Sequence, residues 1–311
     1  MSKAVIKVRV PATSANLGAG FDSLGMALSL YNIVTINRIL PTGEFVIEVS
    51  GEGTRELSAV KSNLIVTSYL EACSTWGIAE PKGFEMHSDN AIPLSRGLGS
   101  SASAVVAGVL IARELHSVKA SEAETLRIMT KLEGHPDNVA PCFLGGMIVG
   151  CWDGSDLRYV RLPSLPHDMY VVVAVPDVKV NTSDARNSLP ETVNFGDAVF
   201  NLSRSALMAA AWATGQWDML SWGMDDRLHQ QYRAKLFPGG DVIMDRVRSM
   251  PGCLGVAISG SGPSVLALSR GKPRDVAETM CRTFSEHGVN SLFFVLDGNA
   301  DGVKIEAGRL G

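Results

Sequence analysis

The stretch that decides the fold reads Ile92-Pro93-Leu94-Ser95-Arg96-Gly97-Leu98-Gly99-Ser100-Ser101-Ala102-Ser103, and residues 104–112 after it are small and apolar. We predict a glycine-rich loop that leads into a helix beginning near Ser101. Gly97 and Gly99 can adopt positive φ and let the backbone approach a ligand closely. The free N–H groups of a first helical turn and the helix dipole attract an anion. The stretch therefore predicts either a phosphate-binding loop or a serine N-cap on an ordinary buried helix.

The composition predicts a globular protein that is neither secreted nor membrane-bound. Of 311 residues, 46% are hydrophobic and 19% are charged, and 28 basic residues nearly balance 32 acidic ones. We find no Lys/Arg run of the nucleic-acid-binding kind and no apolar stretch long enough for a membrane span. Residues 1–3 lead directly into a strand pattern, so we expect no signal peptide and a cytoplasmic location. The cysteines lack metal-ligand spacing, and we expect buried, reduced thiols at Cys73, Cys142, Cys151, Cys253 and Cys281.

Hydrophobic periodicity predicts strands and helices that alternate along the chain. Strand patterns cover residues 4–10, 26–39, 44–50, 83–87, 145–150, 158–162, 170–175, 256–258, 265–268 and 291–296. Helix patterns cover 63–76, 101–115, 121–133, a start at 181, 197–213 and 273–287. We expect Ser62-Asn63-Leu64 to cap the first helix, and the alanine-rich helix 197–213 to be buried on several sides. We expect Pro11 to end the first strand and residues 40–43 to form a turn. A change of composition at Leu162–Pro166 predicts a boundary between domains 1–165 and 166–311.

Two polar segments interrupt this pattern. The loop 11–25 carries Asn16 and Asp22, and its glycine spacing does not fit a dinucleotide fingerprint, which we therefore reject. An Asn and an Asp close together can grip an ammonium group, although Asp in a turn is commonly a local cap. The segment 133–141 holds His135, Asp137 and Asn138 and is either a plain loop or a catalytic cluster. Residues 226–233 have the pattern of an exposed helical face.

Three short loops, 11–25, 93–103 and 258–264, stand in an order and at separations that resemble the motifs of the GHMP small-molecule kinases. The match to the homoserine-phosphorylating members rests on Pro11-Ala12-Thr13-Ser14-Ala15-Asn16-Leu17-Gly18, Gly20-Phe21-Asp22 and His135-x-Asp137-Asn138-Val139-Ala140-Pro141. Ala19 stands where the family usually has proline. The resemblance implies a two-domain α+β fold, with a mixed sheet and a left-handed βαβ-type nucleotide loop in the N-terminal ATP-binding domain. The C-terminal domain is expected to be a ferredoxin-like α/β sandwich.

The resemblance assigns the nucleotide side of the site. Residues Pro93 to Ser103 are expected to wrap the triphosphate of ATP, and Asn63 matches a residue that contacts adenine. No Gly-Lys-Ser/Thr sequence is present, so positive charge must come from Mg²⁺ and the helix N-terminus. Ser101 and Glu133 match the Mg²⁺ ligands of the family, and their oxygens suit that ion.

The resemblance also assigns the acceptor side. Asn16 and Asp22 match the groups that hold the amino end of L-homoserine. Arg186 and Arg233 match the pair that grips its carboxylate, which is bidentate chemistry that lysine would not reproduce. Thr182 matches another residue lining the pocket, as do His135 and Asn138 of the second polar segment.

Catalysis is expected to proceed without a strong protein base. Some GHMP kinases have an aspartate base where this sequence has Asn138, and an amide cannot take a proton. Phosphoryl transfer through a loose transition state depends chiefly on positioning and charge neutralisation. We therefore expect Asn138 to orient the hydroxyl while its proton passes to the γ-phosphate. Asp137 is the alternative base, and His135 completes the catalytic set.

The implied activity is phosphorylation of the side-chain hydroxyl of homoserine by ATP, in threonine biosynthesis. One alternative is another GHMP kinase that acts on a mevalonate-type or sugar substrate, and a second is a silent, nucleotide-binding relative. The amide, carboxylate and two arginines of the acceptor side favour a zwitterionic amino acid. The intact loop glycines and Glu133 argue against a silent relative. The family suggests a homodimer, and we expect neither a nucleic-acid nor a membrane partner.

Overall fold

A computed structural model describes residues 6–41, 43–54, 56–58, 62–298 and 300–308. Its strands are β1 Ile6–Ala15, β2 Leu24–Leu40, β3 Phe45–Gly51, β4 Gly83–Asn90, β5 Met147–Trp152, β6 Leu157–Leu162, β7 Met169–Pro176, β8 Cys253–Ile258, β9 Val265–Arg270, β10 Ser291–Asp297 and β11 Lys304–Ala307. Its helices are α1 Leu64–Thr75, α2 Ser100–Leu115, α3 Glu122–Glu133, α4 Pro136–Leu144, α5 Thr182–Asn187, α6 Phe195–Thr214, α7 Leu220–Gly223, α8 Gln230–Arg233, α9 Gly240–Arg248 and α10 Pro273–Glu286.

The first sheet is organised by β2, which is 17 residues long and can therefore pair with three strands. It pairs antiparallel with β1 and β4, and its first residues pair with β5. β3 lies parallel to β4 and reaches it through α1, which gives the βαβ unit expected for the nucleotide side. The hand of that crossover stays a prediction. β11 pairs antiparallel with β1, so the end of the described chain returns to the first sheet.

Helices α1 and α2 pack closely on this sheet because α2 is made of small residues. Alanines, valines and Gly108 fill its buried face. A Cβ at Gly108 would overlap the carbonyl oxygen of Ile65 in α1, so glycine allows the two backbones to approach. The start of α2 is thereby fixed by the core beneath it. The loop 91–99 that precedes α2 follows β4, and the carbonyl of Leu98 in it accepts from the N–H of Thr13 in β1.

The second sheet has the strand order β10-β7-β9-β8, with every neighbouring pair antiparallel. The chain order of these strands and their intervening helices gives the ferredoxin-like arrangement that we expected. Side chains of β7 alternate between two cores. Val171, Val173 and Val175 pack with α6 and with Met26 and Leu28 of the first sheet. One apolar cluster thus spans the junction between the two sheets, and the candidate site lies at this junction.

Several local predictions were wrong. β1 continues through Pro11 to Ala15, because a register shift between Pro11 and Ala12 lets proline sit in the strand without a ladder bond. Residues 136–144 form α4 and not a loop, with Pro136 at its first turn, where a missing N–H does no harm. α9 and β11 lie in segments where we predicted neither helix nor strand. The predicted residues 4 and 5 of the first strand, residues 1–3 and Thr42 of the turn lie outside the described residues.

Burial also differs from expectation in three places. Helix α6 buries few side chains, and Phe195 and Leu202 on its surface are 83% and 71% exposed. Residues 226–233 do not form an exposed face, since Arg233 is only 2% exposed. All five cysteines are free thiols, but only Cys73 and Cys142 are buried. Cys253 and Cys281 are partly exposed, and Cys151 is exposed because its side chain alternates away from the core of the sheet.

Within the described residues, none of the helices combines the length and apolar character needed to cross the bilayer. The predicted boundary at 165/166 falls between β6 of the first sheet and β7 of the second. We propose it as the domain division, with β11 added to the first sheet.

Candidate active site

The glycine-rich loop meets α2 without a side-chain cap. Gly99 is the N-cap residue, it adopts φ 69°, and as a glycine it offers the first turn no side-chain acceptor. The serine N-cap that we considered is therefore absent at this helix, which begins at Ser100. The first-turn N–H groups and the dipole of a 16-residue helix face the cavity, as an anion site requires.

The loop is held by residues remote in sequence. The Ser259 hydroxyl donates to the carbonyl of Gly97 (2.7 Å), and the backbone N–H of Thr13 donates to that of Leu98 (3.0 Å). Arg96 Nε donates to the carbonyl of Pro176 at 2.9 Å. All three motif loops therefore meet at this point.

A cavity of about 340 Å³ opens beside the loop, between strands of the first sheet and the segments that carry Thr182, Arg233 and Gly260. All but one of the site residues predicted from the sequence contribute to its wall: Asn16, Asp22, Asn63, residues 93–101, Ser103, Glu133, His135, Asp137, Asn138, Thr182, Arg186 and Arg233. Ala102 is the exception, because its methyl group is fully buried in the core of the first sheet. The structure therefore brings together residues that are spread over more than two hundred positions of sequence.

Ser101 and Glu133 form a hydrogen-bonded pair in the wall of the cavity. The Ser101 hydroxyl donates to a Glu133 carboxylate oxygen at 2.8 Å. Glu133 is the last residue of α3, which ends at Gly134 in the left-handed conformation. Burial raises the pKa of Glu133 above its usual value, and the hydrogen bond from Ser101 partly offsets this. The pair offers two hard oxygen donors beside the N-terminus of α2, a donor set that suits Mg²⁺.

The start of α4 presents the second polar segment. His135 is its N-cap residue, and His135 Nδ1 is hydrogen-bonded to Asp137 Oδ1. Burial lowers the pKa of His135, but the bond and charge of Asp137, with Glu133 and Asp22, outweigh it and raise the pKa to about 9. His135 is accordingly a cation at neutral pH. Asp137 is buried, whereas Asn138 is partly exposed to the cavity.

Asn138 is oriented from the first motif loop. The buried hydroxyl of Thr13 donates to Asn138 Oδ1 at 2.7 Å. With its oxygen engaged in this way, the amide keeps its NH₂ group as a donor.

The loop after β1 positions a carboxylate through strained backbone. Asn16 and Asp22 both have positive φ, 71° and 54°, which is uncommon outside glycine. The Asn16 side chain donates to the carbonyl of Gly260 (2.9 Å) and accepts from the backbone N–H of Asp22 (3.0 Å). Asn16 thus fixes the position of Asp22. The carboxylate of Asp22 accepts two hydrogen bonds from Arg186, both at 3.0 Å.

Arg233 is the most buried positively charged side chain of the predicted site. Its Nη1 donates to the carbonyl of Gly260 at 2.9 Å, and its Nε has no hydrogen-bond partner among the described residues although it is buried. Burial and the nearby charge of Arg186 lower the pKa of Arg233 to about 10, so it stays protonated at neutral pH. The guanidinium carbons of Arg186 and Arg233 lie 5.6 and 5.1 Å from the centroid of the Phe21 ring. A buried, unpartnered donor of this kind suits a ligand carboxylate.

Two further predicted residues, Thr182 and Asn63, also line the cavity. Thr182 begins α5 and is exposed. Asn63 caps α1, since its Oδ1 accepts from the N–H groups of Ile65 and Val66. Its Nδ2 donates to the carbonyl of Leu57, so its amide atoms are engaged within the protein.

Some residues that support or line the site were not predicted individually from the sequence. Asn32 Oδ1 accepts from the N–H groups of Ala91 and Ile92 and so fixes the entry to the glycine-rich loop. It lies in the middle of a strand pattern, where no local signal marks it. Gly260 and Ser261 also line the cavity, and the second Gly/Ser loop was the signal for them.

Three further side chains lie close enough together to be considered as metal ligands. Asp22, His135 and Asp137 each offer a ligand atom within 4.8 Å of the others. In the structure Asp137 is engaged with His135 and Asp22 with Arg186, so both acids already have cationic partners.

Comparison with known families agrees with this geometry. Residues 63–146 match the family described as GHMP kinases N terminal domain, and residues 208–289 match that described as GHMP kinases C terminal. The chain is 40% identical over 287 residues to the homoserine kinase of Carboxydothermus hydrogenoformans, covering 92% of each chain. It is 41% identical to that of Moorella thermoacetica, covering 91% of this chain and 93% of the other. The crystal structure of homoserine kinase from Cytophaga hutchinsonii superposes with a TM-score of 0.83 at 30% identity, covering 97% of each chain. The chain belongs to the GHMP kinase family and, within it, to the homoserine kinases.

Proposed function

We propose that the chain transfers the γ-phosphate of ATP to the side-chain hydroxyl of L-homoserine, forming O-phospho-L-homoserine for threonine biosynthesis. The observation that carries the proposal is one cavity whose wall combines two chemically different sets of residues. One set is the glycine-rich loop with an uncapped helix N-terminus, and the other is Asp22 with two arginines. The first set suits a triphosphate and is proposed as the nucleotide end, and the second suits an amino acid zwitterion and is proposed as the acceptor end.

The nucleotide end relies on backbone donors. The N–H groups at the start of α2 face the phosphates, and the glycine-rich loop closes around them. Ser101 and Glu133 would hold Mg²⁺, because their oxygens are paired beside these N–H groups. When bound, the ion neutralises negative charge on the phosphates. Asn63, whose amide is engaged in capping, is proposed to contact adenine by packing.

The acceptor end is proposed to exchange an internal ion pair for the substrate. Asp22 and Arg186 neutralise each other in the structure. The ammonium of homoserine takes the place of Arg186 at Asp22, and its carboxylate takes the place of Asp22 at Arg186. Arg233, which lines the cavity and is held by the carbonyl of Gly260, supplies the second guanidinium. Thr182 closes the pocket at the first turn of α5.

The transfer itself is proposed to need positioning and not a strong base. Asn138, held by Thr13, donates from its NH₂ group to the homoserine hydroxyl, whose lone pair attacks the γ-phosphorus as the bond to the β-phosphate oxygen breaks. The hydroxyl proton passes to a γ-phosphate oxygen. Asp137, the alternative base, is hydrogen-bonded to His135, which supports a structural role. His135 carries a positive charge next to the reacting groups. An Asp137→Asn variant that folds but has a collapsed kcat would favour Asp137 as the base.

A panel of acceptors with MgATP in a coupled assay of ADP release tests the function. Homoserine is expected to give ADP, and mevalonate and galactose are not. ADP release from mevalonate or galactose but not from homoserine would overturn the proposal.

A matched pair of variants tests the carboxylate site. Arg233→Ala is expected to raise the KM for homoserine about 100-fold, as loss of a charged hydrogen-bonding partner does, and the KM for ATP much less. Arg227→Ala, an exposed arginine paired with Asp197, is the control and should change neither. Equal effects of Arg233→Ala on both KM values would contradict the assignment.

A homodimer and a cytoplasmic location are further proposals, supported by the family and the composition. Sedimentation equilibrium tests the first, and fractionation of cells that express the chain tests the second.

A further inference from the structure

His229 lies fully buried between the substrate loop and Arg233, although nothing in its local sequence marks it. Its Nε2 is 2.8 Å from the carbonyl oxygen of Gly18, in the loop that carries Asn16 and Asp22. Its Nδ1 is 3.5 Å from Nη1 of Arg233. Because a carbonyl only accepts, Nε2 must carry the proton. Nδ1 then has a lone pair that accepts from the guanidinium.

The imidazole is itself held rigidly. Asp226 Oδ2 accepts from the backbone N–H groups of His229 (2.9 Å) and Gln230 (2.7 Å). Asp226 Oδ1 accepts from the N–H of Leu228 at 3.1 Å and from the side chain of Asn201 at 2.6 Å. The carboxylate thus pins the turn that precedes α8. The ring of Phe21 covers the imidazole at a centroid distance of 5.2 Å.

Neutral imidazole is the form that this environment favours. Burial lowers the pKa of His229, and the charge of Arg233 lowers it further, against the opposing charges of Asp226 and Asp22 and the hydrogen bond to Gly18. A protonated ring would present N–H at both nitrogens and would lose the contact with Arg233.

We propose that His229 is a positioning residue that aims Arg233 at the substrate carboxylate and ties it to the loop that holds the substrate amino group. The proposal rests on the proposed function, since it assigns Arg233 a ligand. Arg233 Nη1 is shared between His229 Nδ1 and the carbonyl of Gly260. These two acceptors fix the plane of the guanidinium, and its remaining N–H groups are left for the ligand. Both acceptors lie on segments that also contact Asn16 or its loop, so the two ends of the zwitterion site are set together.

Two substitutions at His229 separate its two contacts. Gln places an amide near the position of Nε2 and can still donate to Gly18, but it has no acceptor at the position of Nδ1. Asn places an amide near Nδ1 and can still accept from Arg233. We expect His229→Gln to raise the KM for homoserine about 10- to 100-fold, because small misplacements of a clamp have effects of this size. His229→Asn should raise it only a few-fold, with the KM for ATP within about twofold in both.

A substrate lacking the carboxylate gives the decisive comparison. L-Homoserinamide keeps the amino group and hydroxyl, and wild type should use it with a raised KM. His229→Gln should raise that KM by no more than about twofold further, because the affected interaction is already missing. An equal factor for homoserine and its amide would overturn the proposal. His116→Gln, at a partly buried histidine hydrogen-bonded to Tyr69 in the first domain, is the control for general destabilisation.

A measurement on the wild-type chain tests the proposal even if the variants fail to fold. Long-range ¹H–¹⁵N NMR of the imidazoles should show His229 as the neutral Nε2–H tautomer, and an Nδ1–H tautomer would refute the link to Arg233. The two proposals fail separately. Absence of ADP from homoserine with wild type would refute the proposed function, whereas the tautomer and the contrast between the two variants report on His229.

Discussion

Replacing Gly99 by alanine tests whether the glycine-rich loop and the catalytic amide form one rigid unit. Gly99 has φ 69°, and a Cβ there would overlap the hydroxyl of Thr13 and lie 3.2 Å from Asn138 Oδ1. The left-handed conformation costs an L-residue roughly 1–2 kcal/mol. Thr13 Oγ1 must also move by more than about 1 Å to restore a normal separation of about 3.5 Å. That movement breaks its hydrogen bond to Asn138, worth about 1 kcal/mol.

The two contributions together predict a loss of about 2–3 kcal/mol in the free energy of unfolding, measured in urea. The kinetic loss should be of similar size, about 100-fold in kcat or about 2.7 kcal/mol in activation free energy, because the reacting groups are displaced by about an ångström.

Gly77→Ala is the matched control. Gly77 also has a positive φ, 70°, but no atom of the described residues lies within 4 Å of the position that an added Cβ would take. The substitution therefore carries the conformational cost without the overlap. We expect it to lose about 1–2 kcal/mol of stability and to keep kcat within about twofold of wild type. A wild-type kcat for Gly99→Ala, or an equal loss of kcat in both variants, would refute the reasoning.

Three further predictions concern single contacts of the site. Thr13→Val should lower kcat about fivefold, because it removes the hydrogen bond that orients Asn138, whereas Thr13→Ser keeps the hydroxyl and should keep the wild-type kcat. An unchanged kcat in Thr13→Val would contradict the role given to this hydroxyl. Glu133→Gln should raise the Mg²⁺ concentration for half-maximal activity by at least roughly tenfold, and an unchanged Mg²⁺ titration would exclude it as a ligand. Because the pKa of His135 is raised in the folded state, protonated His135 stabilises the fold. This stabilisation is fully present when the pH is below about 6.5, the pKa in the unfolded state, and it is lost as pH rises through about 9. The difference in unfolding free energy between wild type and His135→Gln should therefore be larger at pH 6 than at pH 10, and a pH-independent difference would contradict the His135–Asp137 interaction.

The sequence was most informative where local pattern decides structure. Alternation and capping residues located β2, α1 with its Asn63 cap, and α10 to within a few residues. The motif loops located the residues that share the cavity, although their separate roles stay predictions. The glycine-rich loop was predicted correctly as the entry to α2, but its cap is glycine and not serine. That difference matters because an uncapped turn leaves its N–H groups free for a ligand.

Local pattern failed where distant segments decide burial. Arg233 follows Asp226 and Arg227 in a charged stretch that reads as solvent-exposed, yet Gly260 covers it. His229 is buried by the same contacts, through Gly18 and Phe21. Such positions depend on tertiary packing, which the periodicity of a single segment does not encode.

The central claim is that the phosphate of ATP moves to the hydroxyl oxygen of homoserine. Homoserine labelled with ¹⁸O in its side-chain hydroxyl, incubated with the enzyme and MgATP and followed by ³¹P NMR, tests this directly. We predict a new phosphomonoester signal that shows the isotope shift of ¹⁸O bound to phosphorus, formed in equal amount to ADP. ADP accompanied only by inorganic phosphate, with no phosphorylated homoserine, would contradict the claim.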